Sequence, residues 1–170
     1  NTYGAEIYVD LHATKNGNRK LGESVFTFKL KGDNVSEQKT AKQGKTADFT
    51  PIRYTDEDDN KTFTYTITEI VPNDAKNADK VEYKDRNVDP ENPAVGPWTK
   101  DGITYDETEH TVTVAITDNG DGTLTKVVKY DGKDDVPVFT NTYGAEIYVD
   151  LHATKNGNTK LGETVFTFEL

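Results

Sequence analysis

The first 30 residues of the chain return almost unchanged at its end. Residues 1–30 and 141–170 align without gaps, differ at only three positions, and are offset by 140 residues (141 minus 1). That period is too long for the unit of a solenoid, and it suits a whole domain. We therefore expect residues 1–143 to form one complete repeat of a tandem array. Residues 144–170 are expected to be the opening strands of the next, truncated repeat.

Short segments of alternating apolar and polar residues fill most of the repeat. This period of two predicts β-strands, and no stretch has a convincing helical period. The segments are AEIYVDLHATK, SVFTFKL, TADFTPIRYT, KTFTYTITEIV, ITYDETEHTVTVAITD, GTLTKVVKY and VPVFTNTY. We predict an all-β fold, an Ig-like (Cna B-type-like) antiparallel β-sandwich. Its first strand should begin at about residue 5, and its last should end at about residue 143.

Residues 72–101 interrupt this pattern. The segment is polar, carries four of the six prolines and holds Trp98, the only tryptophan of the chain, so a long surface insertion between two strands is expected. Two interpretations follow from the composition. The insertion is either a loop packed on Trp98 or a loop that binds a ligand.

Composition argues against several classes of function. Thirty acidic residues against twenty basic ones give a net charge of -10, which disfavours a nucleic-acid partner. The chain has no cysteine, and its three histidines lack partners at the spacing of a metal site or a catalytic pair. The acidic stretch DEDDN is more typical of a solvated turn than of a cation site, and DNGDGT is more typical of a hairpin turn than of a calcium loop. We predict no cofactor, no metal, no membrane insertion in this segment and no enzyme that turns over.

Three predicted strands each direct one polar side chain toward an apolar face, because residues of one parity share a face. Lys15 continues the apolar face of the first strand, and Glu69 continues that of FTYTITEI. Asn141 lies between Phe139 and Tyr143 on the last strand. Burial of a lone ammonium or carboxylate costs several kcal/mol. Either these groups reach water at strand ends, or they have buried partners, and register alone does not bring them together.

The order of the motifs resembles that of a known family. The motifs are FTNTY, DLHATK, LGESVFTFKL, FTYTITEI, ITYDETEHTVTV and NGDGTLTKVV. They are similar to the isopeptide-linked pilin repeats of Gram-positive surface proteins, also called FctA-like or streptococcal-pilin-type domains. The resemblance covers nearly the whole repeat except residues 72–101, which are longer than the family pattern. It implies that Lys15 is joined to Asn141 with help from Glu69, and Asp106 is a second candidate for the assisting acid.

The resemblance also implies a function. The repeat would be a structural stalk or pilin-type unit of an extracellular, cell-wall-anchored adhesin, with adjacent repeats as its partners. Burial lowers the pKa of a lysine and raises that of a glutamate, so a neutral amine could attack the amide while the acid polarises the carbonyl and shuttles protons. Such a crosslink forms once, without a cofactor. The alternative is a ligand-binding adhesin module that recognises a host protein or glycan through residues 72–101.

Overall fold

The fold is described by a computed structural model that covers residues 3–18, 21–145, 149–157 and 163–170. Within these residues, strands and short turns account for nearly all regular structure, and two single 3-10 turns lie at Asp56–Asp58 and Tyr83–Asp85. The strands are β1 (Glu6–Val9), β2 (His12–Gly17), β3 (Phe26–Gly32), β4 (Val35–Ala41), β5 (Thr46–Asp48), β6 (Ile52–Thr55), β7 (Thr62–Glu69), β8 (Thr99–Lys100), β9 (Ile103–Thr104), β10 (Glu109–Asp118), β11 (Leu124–Tyr130) and β12 (Val138–Tyr143).

Two five-stranded sheets form a sandwich, as the alternating pattern predicts. One sheet has the order β11-β10-β7-β3-β4, and the other has the order β5-β2-β12-β9-β8. Strands β1 and β6 pair in a separate two-stranded ribbon. The all-β sandwich is confirmed. One pairing differs from the antiparallel rule, because β2 and β12 run parallel.

Several segments predicted as single strands are divided in two. AEIYVDLHATK forms β1 and β2, so the chain passes from the two-stranded ribbon into a five-stranded sheet at Asp10 and Leu11. TADFTPIRYT divides into β5 and β6 around Pro51, which has no N–H to offer a ladder. The sequence pattern did not include β4, an edge strand whose sequence VSEQKTA is mostly polar.

The core lies between the sheets and is rich in aromatic side chains. Phe28 and Phe139 meet across it with ring centroids 5.1 Å apart. A second, smaller cluster lies under residues 72–101, where buried Trp98 packs against Val71 and Ala75 and meets the Tyr83 ring edge-on. The insertion is therefore a packed segment with its own apolar anchor.

The second copy of the repeated sequence has a different structure from the first. No strand occurs in the described residues 149–157 and 163–170, and residues 146–148 and 158–162 of the predicted opening strands lie outside the described part. The strands that pair with β1, β2 and β3 in the first repeat are already engaged there. In the described residues, no helix has the length and apolar character that crossing a membrane requires.

Candidate functional site

Three buried polar side chains come from three strands in two facing sheets. Lys15 lies on β2 and Asn141 on the neighbouring strand β12, while Glu69 ends β7 in the opposite sheet. The parallel register pairs Lys15 with Phe139, so Asn141 is the next inward-facing residue along β12. The exposed fractions of Lys15, Glu69 and Asn141 are 0%, 5% and 0%. None of the three extends to water at a strand end.

The glutamate bridges the other two residues. Lys15 Nζ donates a hydrogen bond to Glu69 Oε2 at 2.8 Å. Asn141 Nδ2 donates to the other carboxyl oxygen, Glu69 Oε1, at 2.6 Å. The amine and the amide nitrogen are therefore joined through one carboxyl group, which is the arrangement that a proton relay between them requires.

The surroundings of this cluster are apolar. Lys15 Nζ lies 4.5 Å from the centroid of the Phe26 ring and 3.4 Å from the carbonyl oxygen of Phe139. Burial lowers the pKa of Lys15 and raises that of Glu69, because both charged forms lose hydration, although the hydrogen bond between them opposes both shifts. The environment thus favours the neutral amine and the neutral acid over isolated charges.

The carbonyl oxygen of Asn141 has a separate partner, which the sequence did not indicate. The backbone N–H of Asp106 donates to Asn141 Oδ1 at 2.9 Å. The two contacts of the amide group agree with one orientation, since its NH2 faces a carboxyl oxygen and its oxygen faces an N–H donor. Glu69 therefore contacts the amide nitrogen, and not the carbonyl oxygen that it was expected to polarise. No residue type signals a main-chain donor, so no sequence pattern could have found this one.

The carboxylate of Asp106, the second candidate acid, is hydrogen-bonded to backbone groups. Its two oxygens accept hydrogen bonds from the backbone N–H groups of Thr140, at 2.7 Å, and Thr108, at 3.0 Å. Partial burial acts to raise the pKa of Asp106, but these hydrogen bonds outweigh it and hold the pKa below its usual value. The charged side chain thus links the segment after β9 to strand β12 through these two hydrogen bonds.

Two of the three histidines pair with aspartates and not with the residues of this cluster. His12 Nδ1 lies 2.8 Å from Asp48 Oδ1, and His110 Nδ1 lies 2.6 Å from Asp131 Oδ2. The His110 ring packs edge-on against Phe139 at 4.8 Å between centroids. No group of three or more His, Cys, Asp or Glu side chains suited to a metal ion occurs in the part of the chain that the structure describes.

Comparison with known protein families matches residues 11–144 to FctA, the Spy0128-like isopeptide containing domain. The match covers well over half of the chain and includes all three buried polar residues. The chain belongs to this family. No curated protein matches it. Membership in the FctA family confirms the resemblance in motif order, and with it a pilin-type structural repeat of a surface-exposed protein.

Proposed function

We propose that Lys15 and Asn141 join in an isopeptide bond that forms within the folded repeat, with Glu69 as the assisting acid. The repeat then serves as a self-crosslinked unit in the stalk of a cell-wall-anchored adhesin. The observation that carries the proposal is the bridge made by Glu69, which accepts hydrogen bonds from both the amine and the amide nitrogen.

The chemistry balances without a cofactor. The neutral amine of Lys15 attacks Cγ of Asn141, so the Nζ–Cγ bond forms and Cγ becomes tetrahedral. The amide nitrogen then has a free lone pair, and it takes a proton from Glu69 Oε1 while Oε2 receives one from the attacking amine. The Cγ–Nδ2 bond breaks, ammonia leaves, and Glu69 regains its starting proton. Each repeat reacts once, so this is self-modification and not turnover.

Backbone geometry supports the same step. Charge develops on Asn141 Oδ1 as Cγ becomes tetrahedral, and the N–H of Asp106 already donates to that atom at 2.9 Å. The low pKa of Asp106 makes its carboxylate a poor proton shuttle, whereas the raised pKa of Glu69 suits one. The two acids therefore have different roles: Glu69 moves protons, and Asp106 positions the donor at the oxygen.

Packing gives the reaction its proximity, and the product removes the cost of burial. Held groups of this kind gain roughly 7–11 kcal/mol over reactants that must meet in solution. The product is a neutral amide, so no charge remains to be solvated. The bond closes a loop of 126 residues (141 minus 15), which corresponds to about 5 kcal/mol of stabilisation by a chain-entropy estimate.

The position of the bond fits a role under tension. Strands β2 and β12 are neighbours, and a bond between them takes the chain from residue 16 to residue 140 out of the load path. In a tandem array, Asn141 lies only 14 positions before the next lysine, Lys155 (155 minus 141). Only this short segment of each 140-residue repeat would then bear force through backbone that no crosslink bypasses.

Intact-mass measurement tests the bond directly. The loss of one ammonia should leave the chain about 17 Da below its sequence mass, and peptide mapping should join the strands of Lys15 and Asn141. Lys15→Ala should restore the full mass. Lys155→Ala changes a lysine in the same local sequence and should keep the deficit. A wild-type mass equal to the sequence mass contradicts the proposal.

A second function rests on the surface of residues 72–101. Val88 and Val95 are 79% and 72% exposed on this segment, although its core is packed on Trp98. Exposed apolar side chains on a packed loop suit contact with a host protein or glycan. A glycan and protein array probed with the chain and with a Val88→Ser/Val95→Ser variant tests this role. Equal or absent binding by both argues against it.

A further inference from the structure

The segment Tyr-Gly-Ala occurs twice in the described chain, at residues 3–5 and at residues 143–145. The first copy lies where the chain enters the sandwich, and the second lies where the chain leaves it. Both copies occupy the same position of the 140-residue repeat. The structure therefore contains both halves of the junction that would connect two consecutive repeats.

On the leaving side, the segment is held by the repeat that precedes it. Tyr143 pairs with Ile103 of β9, and its N–H donates to Asn18 Oδ1 at 2.9 Å. The next N–H, that of Gly144, donates to the carbonyl oxygen of Gly102 at 2.9 Å. The Tyr143 ring lies close above Gly102, where an added Cβ would meet a ring carbon at 3.0 Å. The preceding repeat thus binds the chain through residue 144.

On the entering side, the same segment is held by the repeat that follows it. Tyr3 Oη donates to Asp118 Oδ1 at 2.5 Å, at the far end of β10. The N–H of Ala5 donates to Asp56 Oδ1 at 3.3 Å, and the N–H of Asp56 donates to the carbonyl oxygen of Ala5 at 3.1 Å. The following repeat thus binds the chain from the alanine onward, as well as the tyrosine hydroxyl.

These two sets of contacts leave no free residue between repeats. Gly144 is bonded to the repeat before it, and Ala145, as the counterpart of Ala5, would be bonded to the repeat after it once that repeat is folded. The two sets of contacts involve different atoms of the tyrosine. The preceding repeat contacts its backbone and ring face, and the following repeat contacts its hydroxyl. One side chain can therefore contact both repeats.

We propose that consecutive repeats dock end to end without a flexible linker. The surface formed by Asn18 and the β8–β9 hairpin of one repeat faces Asp56 and Asp118 of the next, and Tyr143 bridges the two. The partner of this surface is a second copy of the same repeat. The inference rests on the tandem arrangement in the proposed function, but it does not depend on the isopeptide chemistry.

The test uses the full chain continued after Leu170 by residues 31–143, which completes the second repeat. The chain has no cysteine, so Ser36→Cys on exposed strand β4 of each copy gives two spin-label sites. We expect a narrow distance distribution in pulsed electron paramagnetic resonance. Insertion of Gly-Ser-Gly-Ser between Gly144 and Ala145 should widen it about twofold or more, because such linkers behave as flexible coil.

Matched variants separate docking from other effects. Tyr143→Phe removes the bridging hydroxyl and should widen the distribution. Tyr3→Phe removes the same hydroxyl from the first repeat of the tested two-repeat chain, outside its junction, and should leave the width unchanged. The same four-residue insertion after exposed Asn92 should also have no effect on the width. A wild-type distribution as broad as that of the junction insertion overturns the proposal. Equal widths for the two tyrosine variants overturn the bridging role of Tyr143.

Intact mass on the same samples keeps this result distinct from the crosslink. Two complete repeats should lose about 34 Da, one ammonia each, in every one of these variants. A broad distance distribution together with the full mass deficit would refute end-to-end docking but leave the crosslink in place. A mass without the deficit together with a narrow distance distribution would refute the crosslink but leave end-to-end docking in place.

Discussion

Lys15 and Lys155 lie in nearly identical sequences but in opposite environments. Lys15 is fully buried, whereas Lys155 is exposed. Each has its amine over the phenylalanine eleven positions later, at 4.5 Å from Phe26 and 4.7 Å from Phe166. The contact with the aromatic ring is therefore local and is present in both copies. Only Lys15 has Glu69, because that residue comes from a strand 54 positions away.

This difference shows which interactions make a lysine reactive. The contact with the phenylalanine ring persists without a sandwich. The lowered pKa of Lys15, the raised pKa of Glu69 and the nearby amide of Asn141 all need two packed sheets. A segment of 30 residues holds the lysine and its ring contact, and the rest of the repeat provides Glu69 and Asn141. Four predictions test this comparison, from the largest expected effect to the smallest.

The largest effect should be on stability. Lys15→Met keeps most of the buried volume and removes the amine, so the 126-residue loop reopens and the free energy of unfolding should fall by about 5 kcal/mol. Lys155→Met should change it by less than about 0.5 kcal/mol, because that side chain is exposed. Denaturant unfolding of both variants beside wild type measures the difference. Equal losses in the two variants would contradict the comparison.

Glu69 should control the rate of the bond. Glu69→Ala removes the proton relay and should slow bond formation by about 100-fold or more, leaving the full sequence mass. Glu69→Gln retains the size and hydrogen-bonding groups but holds no transferable acid proton, so it should also be unlinked. Circular dichroism should show that both variants keep the strands. A normal 17 Da deficit, about one ammonia, in Glu69→Gln would assign the relay to another group.

Bond formation should have a bell-shaped dependence on pH. The reactive state holds one shared proton between Lys15 and Glu69, so the pair gains a second proton at low pH and loses its last at high pH. Burial raises the pKa of Glu69 above 4.5 and lowers that of Lys15 below 10.5, so both limbs move inward from these ordinary values. Unlinked chain recovered in denaturant and diluted to fold at each pH, followed by intact mass, measures the rate. A rate that rises without limit toward high pH would rule out the protonated acid.

Asp106 should have the smallest effect. Asp106→Asn retains an acceptor oxygen for Thr140 or Thr108, so the bond should still form in full. Asp106→Ala removes these two hydrogen bonds and makes the N–H that faces Asn141 less firmly positioned. It should slow bond formation by about tenfold, which is less than the effect of removing an oxyanion donor. Folding rate from tryptophan fluorescence serves as the control. A similar loss in Asp106→Asn would make the carboxylate itself part of the reaction.

Much of the fold was predictable from local pattern. The alternation of apolar residues along β2, β7 and β12 indicated which face of each strand turns inward, and it singled out Lys15, Glu69 and Asn141. Strand breaks were less predictable, because the crossing at Asp10 and Leu11 depends on which sheet each half can join. The edge strand β4 was missed because exposure on an edge weakens the apolar signal.

The sequence by itself determined the all-β class, the 140-residue period and the three polar residues on apolar faces. These follow from side-chain alternation and repetition, which are local properties of a chain. The family resemblance implied that the three side chains meet. Only the tertiary structure showed that Glu69 bonds to both nitrogens, that the N–H of Asp106 faces the amide oxygen, and that Lys15 is buried while Lys155 is exposed. Contacts across sheets depend on packing between distant segments, and the pKa of a group depends on the solvent that this packing removes.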